Sequence, residues 1–218
     1  EQHAETARAV RRVMPMPEKS AEAGREKAVR QEIRLAGSGG QGIIMAAIVL
    51  AEAAGVHEGK QVSQTQSYGP EARGGTCKAE VVISDAPIDY PKVAKPDFML
   101  AMNQASVNTY FGDLKPTGLL IVDSTLVSKV PTAKTVSIPF TKIAREELGT
   151  DLVANMVALG ALGWLSKGVS IESLEEALLS RVPPGTEELN LRALRAGVKA
   201  AESYDLMKLP QTVAEEEE

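Results

Sequence analysis

Cysteine, histidine and aromatic residues are scarce in this chain of 218 residues, which has one Cys, two His, one Trp, four Tyr and three Phe. A single thiol can form no intrachain disulfide, and an iron–sulfur cluster needs about four thiolates, so Cys77 can supply neither. His3 and His57 lie far apart, and neither has a partner at ligand spacing. The sequence therefore predicts a chain that carries no metal or redox centre of its own.

Long apolar runs and an excess of positive charge are also lacking. No run reaches the roughly 18 residues that span a bilayer. The N-terminus lacks the pattern of a signal peptide, and the five glutamates within its first 26 residues argue against an organelle transit peptide. The formal net charge of −5 gives no general electrostatic reason to bind nucleic acid. We therefore expect a cytoplasmic protein with an aliphatic core, no membrane insertion and no nucleic-acid partner.

The strongest local motif is a strand–turn–helix stretch at the start of the core. A short apolar strand at 32–36 leads into Gly37, Gly39 and Gly42, which satisfy G-x-G-x-x-G, and a helix is expected over 42–55, ended by a glycine. The motif predicts a tight turn at the first glycine, close approach of a ligand at the second and helix–strand packing at the third. A phosphate there would meet free N–H groups and the positive end of a helix dipole. The alternative is that the glycines make only a close corner.

Ordinary NAD binding is disfavoured by the second strand, which we expect within residues 60–67. Dinucleotide-binding folds place an Asp or Glu there, about 20 residues beyond the motif, to hold the ribose hydroxyls. The run from Lys60 to Ser67 contains no carboxylate. A free-standing NAD(P)-dependent oxidoreductase therefore stays an alternative only. A scaffold or regulatory module, in which the glycine loop is a plain corner, is another.

A second glycine-rich loop follows that strand, from Tyr68 to Gly75. A connection that only had to turn would require neither Tyr68 nor Arg73, and loops on a rigid scaffold often carry binding groups. Gly-Pro and Gly-Gly are also ordinary turn signals, so a plain turn is the alternative. Arg73 is the only cation of the loop, and its planar guanidinium suits phosphate or carboxylate. We hypothesise that Arg73 meets an anion at an interface; an exposed pair with Glu71 is the competing interpretation.

Strands and helices alternate along the remaining core. Apolar runs predict further strands near 77–83, 97–102, 118–123 and 135–138, and helices near 104–111, 152–165 and 187–204, the last with one apolar face of Leu191, Leu194, Val198 and Ala201. Ser170 is expected to cap another helix, whose apolar stripe is Ile171, Leu174, Ala177 and Leu178. The pattern predicts an α/β fold, a Rossmann-like three-layer domain with a mainly parallel sheet and a helical C-terminal part. The helix at 152–165 is apolar on nearly all sides and needs burial all round, either within this chain or against another subunit.

The composition divides the chain into three parts. Residues 1–31 show no strong apolar face, and Met14-Pro15-Met16-Pro17 would break any helix there, so we interpret them as an N-terminal extension. Residues 32–208 form the expected domain. Residues 209–218 end in four glutamates and are interpreted as an acidic tail.

Several stretches together resemble the gamma subunit of the 2-oxoacid:ferredoxin oxidoreductases. They are Gly37-Ser38-Gly39-Gly40-Gln41-Gly42, then Gln64-Thr65-Gln66-Ser67-Tyr68-Gly69-Pro70-Glu71-Ala72-Arg73-Gly74-Gly75, then Ile83-Ser84-Asp85 with Ile88-Asp89-Tyr90-Pro91. The resemblance covers about residues 32–180, so the predicted domain is of the gamma type. The second stretch is most similar to the 2-oxoglutarate branch, and a related subunit for pyruvate or branched-chain 2-oxoacids is the alternative.

The resemblance implies an enzyme that converts 2-oxoglutarate, coenzyme A (CoA) and oxidised ferredoxin into succinyl-CoA, CO2 and reduced ferredoxin. It implies thiamine diphosphate, Mg and [4Fe-4S] clusters in partner alpha and beta subunits, with a ferredoxin-like delta subunit as a further candidate and external ferredoxin as acceptor. This chain would be inactive alone and would contain no catalytic residue. Its site residues would contact CoA or brace the thiamine-binding subunit: Gly37, Ser38, Gly39, Gly40, Gln41, Gly42, Tyr68, Arg73, Gly74 and Gly75.

Overall fold

A six-stranded sheet forms the centre of the protein, whose computed structural model describes residues 29–68 and 75–210. The strands are β1 (Arg30–Ser38), β2 (Gln61–Tyr68), β3 (Thr76–Ser84), β4 (Phe98–Ala101), β5 (Leu119–Asp123) and β6 (Thr135–Ile138). Their order across the sheet is β2-β3-β1-β4-β5-β6. β3 is antiparallel to β1 and β2, whereas the pairs β1–β4, β4–β5 and β5–β6 are parallel. All strands except β3 point the same way, which confirms the mainly parallel sheet.

In the described part of the chain, six α-helices cover the two faces of this sheet. They are α1 (Ile43–Glu52), α2 (Gln104–Tyr110), α3 (Phe140–Leu148), α4 (Ala154–Ser166), α5 (Ile171–Arg181) and α6 (Glu187–Glu202). Side chains such as Leu35 and Ile121 face the larger core, which they share with α1 and α3–α6. The alternate residues, such as Met99 and Leu120, face a smaller core with Val107 of α2. Because successive strand residues point to opposite faces, the result is the predicted three-layer fold.

Helix α4 is buried by other helices of the same chain. It packs against α1, α3, α5 and α6, and nearly all its residues are buried. Two glycines let α4 and α6 meet backbone to backbone: Gly160 lies against Leu194 of α6, and Gly197 of α6 lies against Val157. The apolar helix predicted at 152–165 therefore has its partners within this domain, which decides between the two alternatives left open by the sequence.

The end of the first helix differs from its prediction. The helical path does not stop at Gly55 but continues through a π-helical turn, Ala53–His57. It ends at Gly59, which has a φ of +65°. Gly55 is not in the left-handed region, and a side chain there would approach Val62 of β2. Gly55 is therefore suited to close packing on the sheet, and Gly59 is the residue that reverses the chain.

Two C-terminal helices add further differences. Helix α3 was not predicted, although Phe140, Ala144 and Leu148 follow a helical spacing and Gly149 ends the helix at a φ of +79°. In α6 the expected apolar face is rotated, because Gly197 and its neighbours of small volume form the contact with α4, while Leu191 is only half-buried. The close approach of two helices selects small side chains over large ones.

None of the helices in the described part of the chain combines the length and apolar character needed to cross a bilayer. The extension before residue 29, residues 69–74 and the tail after residue 210 lie outside the described residues. The division into extension, domain and tail stays a prediction.

Candidate functional site

The glycine loop lies where the chain changes direction across the sheet. From β1 the chain passes through α1 towards β2 on one side, whereas β4 leads through α2 to β5 on the other side. The carboxyl ends of β1 and β4 therefore border a topological switch point, the place where open α/β sheets bind ligands. Ser38 ends β1, and Asn103 follows β4 and caps α2 by accepting a hydrogen bond from the backbone N–H of Ser106.

Gly37 serves packing rather than the turn. It lies within β1, and an ideal Cβ there would be 2.7 Å from Cγ1 of Ile43 and 2.9 Å from Oε1 of Gln41. The tight turn is made by Gly40 and Gly42, which have φ values of +91° and +70°. The prediction that the first glycine makes the turn was therefore wrong, because the strand continues one residue past Gly37 and the chain reverses only afterwards.

The other two motif glycines have different surroundings. A Cβ at Gly42 would overlap the side chain of Asn155, whose Nδ2 donates to the carbonyl oxygen of Gly42 at 3.1 Å. The third glycine therefore lets α1 pack closely on α4, not on the strand as the motif predicts. Gly39 is exposed, has no heavy atom within 4 Å of an ideal Cβ and is not in the left-handed region. Nothing among the described residues requires glycine at position 39.

The side chain of Gln41 ties the two strands together across the switch point. Its Oε1 accepts from the backbone N–H of Ser38 at 2.7 Å, from Oγ of Ser38 at 3.0 Å and from Nδ2 of Asn103 at 3.0 Å. Its Nε2 makes a longer contact of 3.4 Å with the carbonyl oxygen of Met102. The orientation of the amide follows from its partners, since a backbone N–H can only donate and a carbonyl can only accept.

The strand register brings the second predicted loop to the same edge. Tyr68, the last residue of β2, is opposite Cys77 of β3, and Cys77 is opposite Gly37. Thr76 is likewise opposite Ser38, and Gly75 directly precedes it. The backbone of Gly75 therefore lies beside the glycine loop, and the backbone of Tyr68 lies at the same edge of the sheet, with β3 in between. Arg73 and Gly74 lie outside the described residues, so their roles stay predictions.

The position of β3 argues against a dinucleotide site. In the NAD-binding fold, β1 and the strand that follows it in sequence are neighbours, so an acidic residue at the end of the second strand reaches the ribose. Here β3 separates β1 from β2 and runs in the opposite direction. Residues 60–67 contain no carboxylate, and β3 would in any case keep the end of β2 one strand away from a ligand at β1. Both features argue against NAD binding.

Cys77 is not suited to act as a nucleophile. It is buried beside Gly37, with 5% of its surface exposed. Burial raises the pKa of its thiol above the ordinary value, because a thiolate would lose its hydration. Since the thiolate is the reactive form, Cys77 stays a neutral core residue at neutral pH.

Sequence reasoning missed a buried ion network on the opposite face of β1 and β3. Arg34 is 2% exposed, and its Nε donates to Oε1 of Glu80 at 2.8 Å, while its guanidinium also pairs with Asp113. Lys78 contacts the same oxygen of Glu80 at 2.9 Å. The ring of Tyr110 lies 5.7 Å from both cations. A charged residue within each of two buried strands was the available signal, but only the β1–β3 register pairs Arg34 with Glu80.

Two surface grooves lie at the opposite, amino-terminal edge of the sheet. One has a volume of about 570 Å³ and is lined by Lys60, Trp164 and Lys167, among others. The second, of about 380 Å³, is lined by Gln31, Phe98 and other residues near strand starts. Neither groove includes the glycine loop. Within residues 29–68 and 75–210, no group of three or more His, Cys, Asp or Glu is placed to hold a metal ion.

The fold and the site together define a doubly wound α/β domain whose switch point is lined by backbone N–H, hydroxyl and amide groups. Such groups can bind or brace, but they transfer no electrons. In the described residues the one thiol is buried and the ion network is structural. The class is therefore a doubly wound α/β domain with one specialised loop edge.

Comparisons with known proteins place this domain in a family. A family model described as pyruvate ferredoxin/flavodoxin oxidoreductase matches residues 32–200. The chain is 52% identical over 177 residues to the 2-oxoglutarate synthase subunit KorC of Methanocaldococcus jannaschii, an alignment that covers 79% of this chain and 95% of that protein. The chain therefore belongs to the pyruvate ferredoxin/flavodoxin oxidoreductase family, which confirms the resemblance found in the sequence.

Two solved structures are similar to the fold. The gamma subunit of a keto/oxoacid ferredoxin oxidoreductase from Geobacter sulfurreducens PCA matches with a TM-score of 0.74 and 45% identity, covering 80% of this chain and 97% of that one. The 2-oxoglutarate:ferredoxin oxidoreductase from Magnetococcus marinus, with 2-oxoglutarate, coenzyme A and succinyl-CoA bound, matches with a TM-score of 0.70 and 25% identity. That match covers 81% of this chain and 32% of the other.

Proposed function

We propose that this chain is the gamma subunit of a 2-oxoglutarate:ferredoxin oxidoreductase, which forms succinyl-CoA and CO2 from 2-oxoglutarate and CoA and passes two electrons to ferredoxin. The observation that carries the proposal is the 52% identity to a 2-oxoglutarate synthase subunit along 95% of its length. The loop edge supports it, because the second stretch, which resembles the 2-oxoglutarate branch, ends at Gly75 beside the glycine loop.

In this proposal the redox chemistry belongs to other subunits. The described residues do not fit an iron–sulfur cluster, because the single thiol of the chain is buried in the core and clusters need several thiolates. Alpha and beta subunits would hold thiamine diphosphate, Mg and the [4Fe-4S] clusters, and a ferredoxin-like delta subunit is a further candidate partner. We propose a cytoplasmic complex with external ferredoxin as its acceptor.

The role of this chain would be to shape one wall of the active-site interface. The glycine loop and the Tyr68–Gly75 loop would contact CoA on its way to the partner's thiamine, or brace the partner itself. The proximity of the two loop ends supports a shared interface. Arg73, as the only cation of the second loop, would meet an anion there.

Reconstitution tests the proposed function. We expect the purified chain to bind no stoichiometric iron and to oxidise no 2-oxoacid. The native protein should co-purify with alpha and beta subunits, identified by mass spectrometry. The complex should reduce ferredoxin only when both 2-oxoglutarate and CoA are present, and should show at least about tenfold higher kcat/KM for 2-oxoglutarate than for pyruvate or a branched-chain 2-oxoacid, a difference of ~1.4 kcal/mol.

Two results would contradict this assignment. Turnover by the isolated chain, or iron bound to it in stoichiometric amount, would show that the chain carries its own chemistry. A complex that prefers pyruvate or a branched-chain substrate would be consistent with the family but would contradict the proposed specificity for 2-oxoglutarate. NAD(P)H oxidation by the chain alone would support the alternative, a free-standing NAD(P)-dependent oxidoreductase.

Gly39→Val separates an interface loop from a plain corner. Since the site of a new side chain is open and the backbone is not left-handed, we expect the stability of the isolated chain to change by less than about 0.5 kcal/mol. If the loop faces CoA or a partner, the bulk of valine should lower assembly or CoA-dependent activity by at least about tenfold, equivalent to ~1.4 kcal/mol. Thermal melting and steady-state assays of the reconstituted complex measure the two effects.

Gly112→Val is the matched control, because Gly112 also has open space around an ideal Cβ but lies after α2, away from the loop edge. It should leave both stability and activity near wild type. The same assays on Arg73→Lys, which keeps the charge but loses the planar fork, test the second loop. Normal assembly and turnover of Gly39→Val would show that the glycine loop is only a corner.

A further inference from the structure

Three hydrogen-bond donors converge on a single oxygen at the switch point. The backbone N–H and the hydroxyl of Ser38 come from the end of β1, and Nδ2 of Asn103 comes from the end of β4. Donors of these kinds are the ones that phosphate and carboxylate oxygens accept from. Here the acceptor is Oε1 of Gln41, a residue of the glycine motif itself.

The space in front of Gly37 is also filled from within. In dinucleotide-binding loops the second glycine lets the pyrophosphate approach the backbone. Its counterpart here, Gly39, has open space, whereas the space at the first glycine, Gly37, is occupied. The atoms that occupy it are Oε1 of Gln41 and Cγ1 of Ile43, at 2.9 Å and 2.7 Å from an ideal Cβ. Gly42 similarly accommodates Asn155 of α4. Two of the three motif glycines are therefore accounted for by contacts inside the chain.

The Gln41 amide is held in this place from both sides. Its oxygen is bound by Ser38 and Asn103, and its nitrogen reaches the carbonyl oxygen of Met102 at 3.4 Å. Asn103 is itself fixed, because its Oδ1 accepts from the backbone N–H of Ser106 at 2.8 Å. A ligand phosphate that entered the crevice would have to displace this amide and replace each of its hydrogen bonds.

We propose that the side chain of Gln41 is a built-in plug of the switch-point crevice, which excludes nucleotide phosphates and holds the glycine loop in one shape. The motif would then exclude nucleotide phosphates, whereas in dinucleotide-binding folds it binds them. Only the outer side of the loop, at Gly39 and Gly40, is left for CoA or a partner subunit. This proposal deepens the proposed function, but its test needs no other subunit, so the failure of one can be told from the failure of the other.

The test compares ADP binding by the full-length wild-type chain, Gln41→Ala and Gln41→Glu, measured by calorimetry. We expect wild-type binding to be weaker than about 1 mM and binding by Gln41→Ala to be at least about tenfold tighter, since the donors of Ser38 and Asn103 become free. Gln41→Glu keeps an oxygen in place and adds negative charge, so it should gain nothing. Gln64→Ala, at a half-buried glutamine of β2 outside the crevice, is the matched control and should bind as wild type does.

A second measurement uses the wild-type chain alone. The side-chain amide resonance of Gln41 in a ¹⁵N–¹H NMR spectrum should not shift when ADP or CoA is added. If a ligand binds without shifting this resonance, it binds outside the crevice, as the proposal expects. A wild-type resonance that shifts on saturation with ADP would overturn the proposal. A folded Gln41→Ala chain, checked by circular dichroism, that gains no affinity for ADP would also overturn it.

Discussion

The Gly160→Ala variant is expected to melt well below the wild-type chain. A Cβ at Gly160 would overlap the backbone carbonyl oxygen of Leu194, so α4 and α6 would have to move apart. Neither backbone can give way as a flexible side chain could, and overpacking of a core costs about 1–3 kcal/mol or more. At roughly 2–4 °C per kcal/mol for a chain of this size, a loss of about 3 kcal/mol lowers the melting temperature by roughly 6–12 °C. Thermal unfolding followed by circular dichroism measures it.

Gly112→Ala is the control for this substitution. An ideal Cβ at Gly112 has no heavy atom within 4 Å, so we expect its stability to change by less than about 0.5 kcal/mol. Gly197→Ala tests the same contact from α6, because a Cβ there would overlap the carbonyl oxygen of Val157. If Gly160→Ala and Gly197→Ala both melt like the wild type, the two helices do not meet at the described distance.

Removal of Arg34 should have a similarly large effect for an electrostatic reason. Arg34→Met would leave Glu80 buried, with Lys78 as its remaining cationic partner. Breaking a buried ion pair by deleting one partner costs about 3–5 kcal/mol, because the remaining charge has lost its water and part of its compensation. Since Lys78 still pairs with Glu80, we expect a loss toward the lower end, about 3 kcal/mol. We expect this loss in the free energy of unfolding from urea titrations at neutral pH.

Two variants show whether burial causes this loss. Arg195→Met breaks an exposed ion pair with Glu175 and should cost much less than Arg34→Met, because water screens such pairs. The double variant Arg34→Met/Glu80→Met removes both buried charges and should recover much of the stability lost in Arg34→Met. An equal, small cost for Arg34→Met and Arg195→Met would contradict the buried network.

Local patterns in the sequence were sufficient for most elements of the fold. The strand predicted at 118–123 is observed as Leu119–Asp123 with every residue buried, because a strand covered on both faces favours apolar side chains at successive positions. Ser170 caps α5 as expected, accepting from the backbone N–H of Ser173. The glycine motif lies between a strand and a helix, as its spacing requires. These features depend on residues close together in the chain.

The roles of individual residues in the candidate site were harder to predict from local sequence patterns. The motif located the loop, but the turn is made at Gly40 and Gly42, and Gly37 and Gly42 receive Gln41 and Asn155. Asn155 is 113 positions from Gly42, so no local pattern could pair them. The helix cap at Asn103 had a recognisable sequence signal, an asparagine between a buried strand and a helix. No sequence signal indicated the hydrogen bond from Asn103 to Gln41.

By itself, the sequence determined the α/β class and the loops that carry the family resemblance, because periodicity and motif spacing are properties of the chain. The insertion of β3 between β1 and β2, the meeting of the two loop edges and the pairing of Arg34 with Glu80 were decided only by the tertiary structure. Each of these depends on strand order and register, which follow from how all the elements bury their apolar faces together. No single segment contains that information.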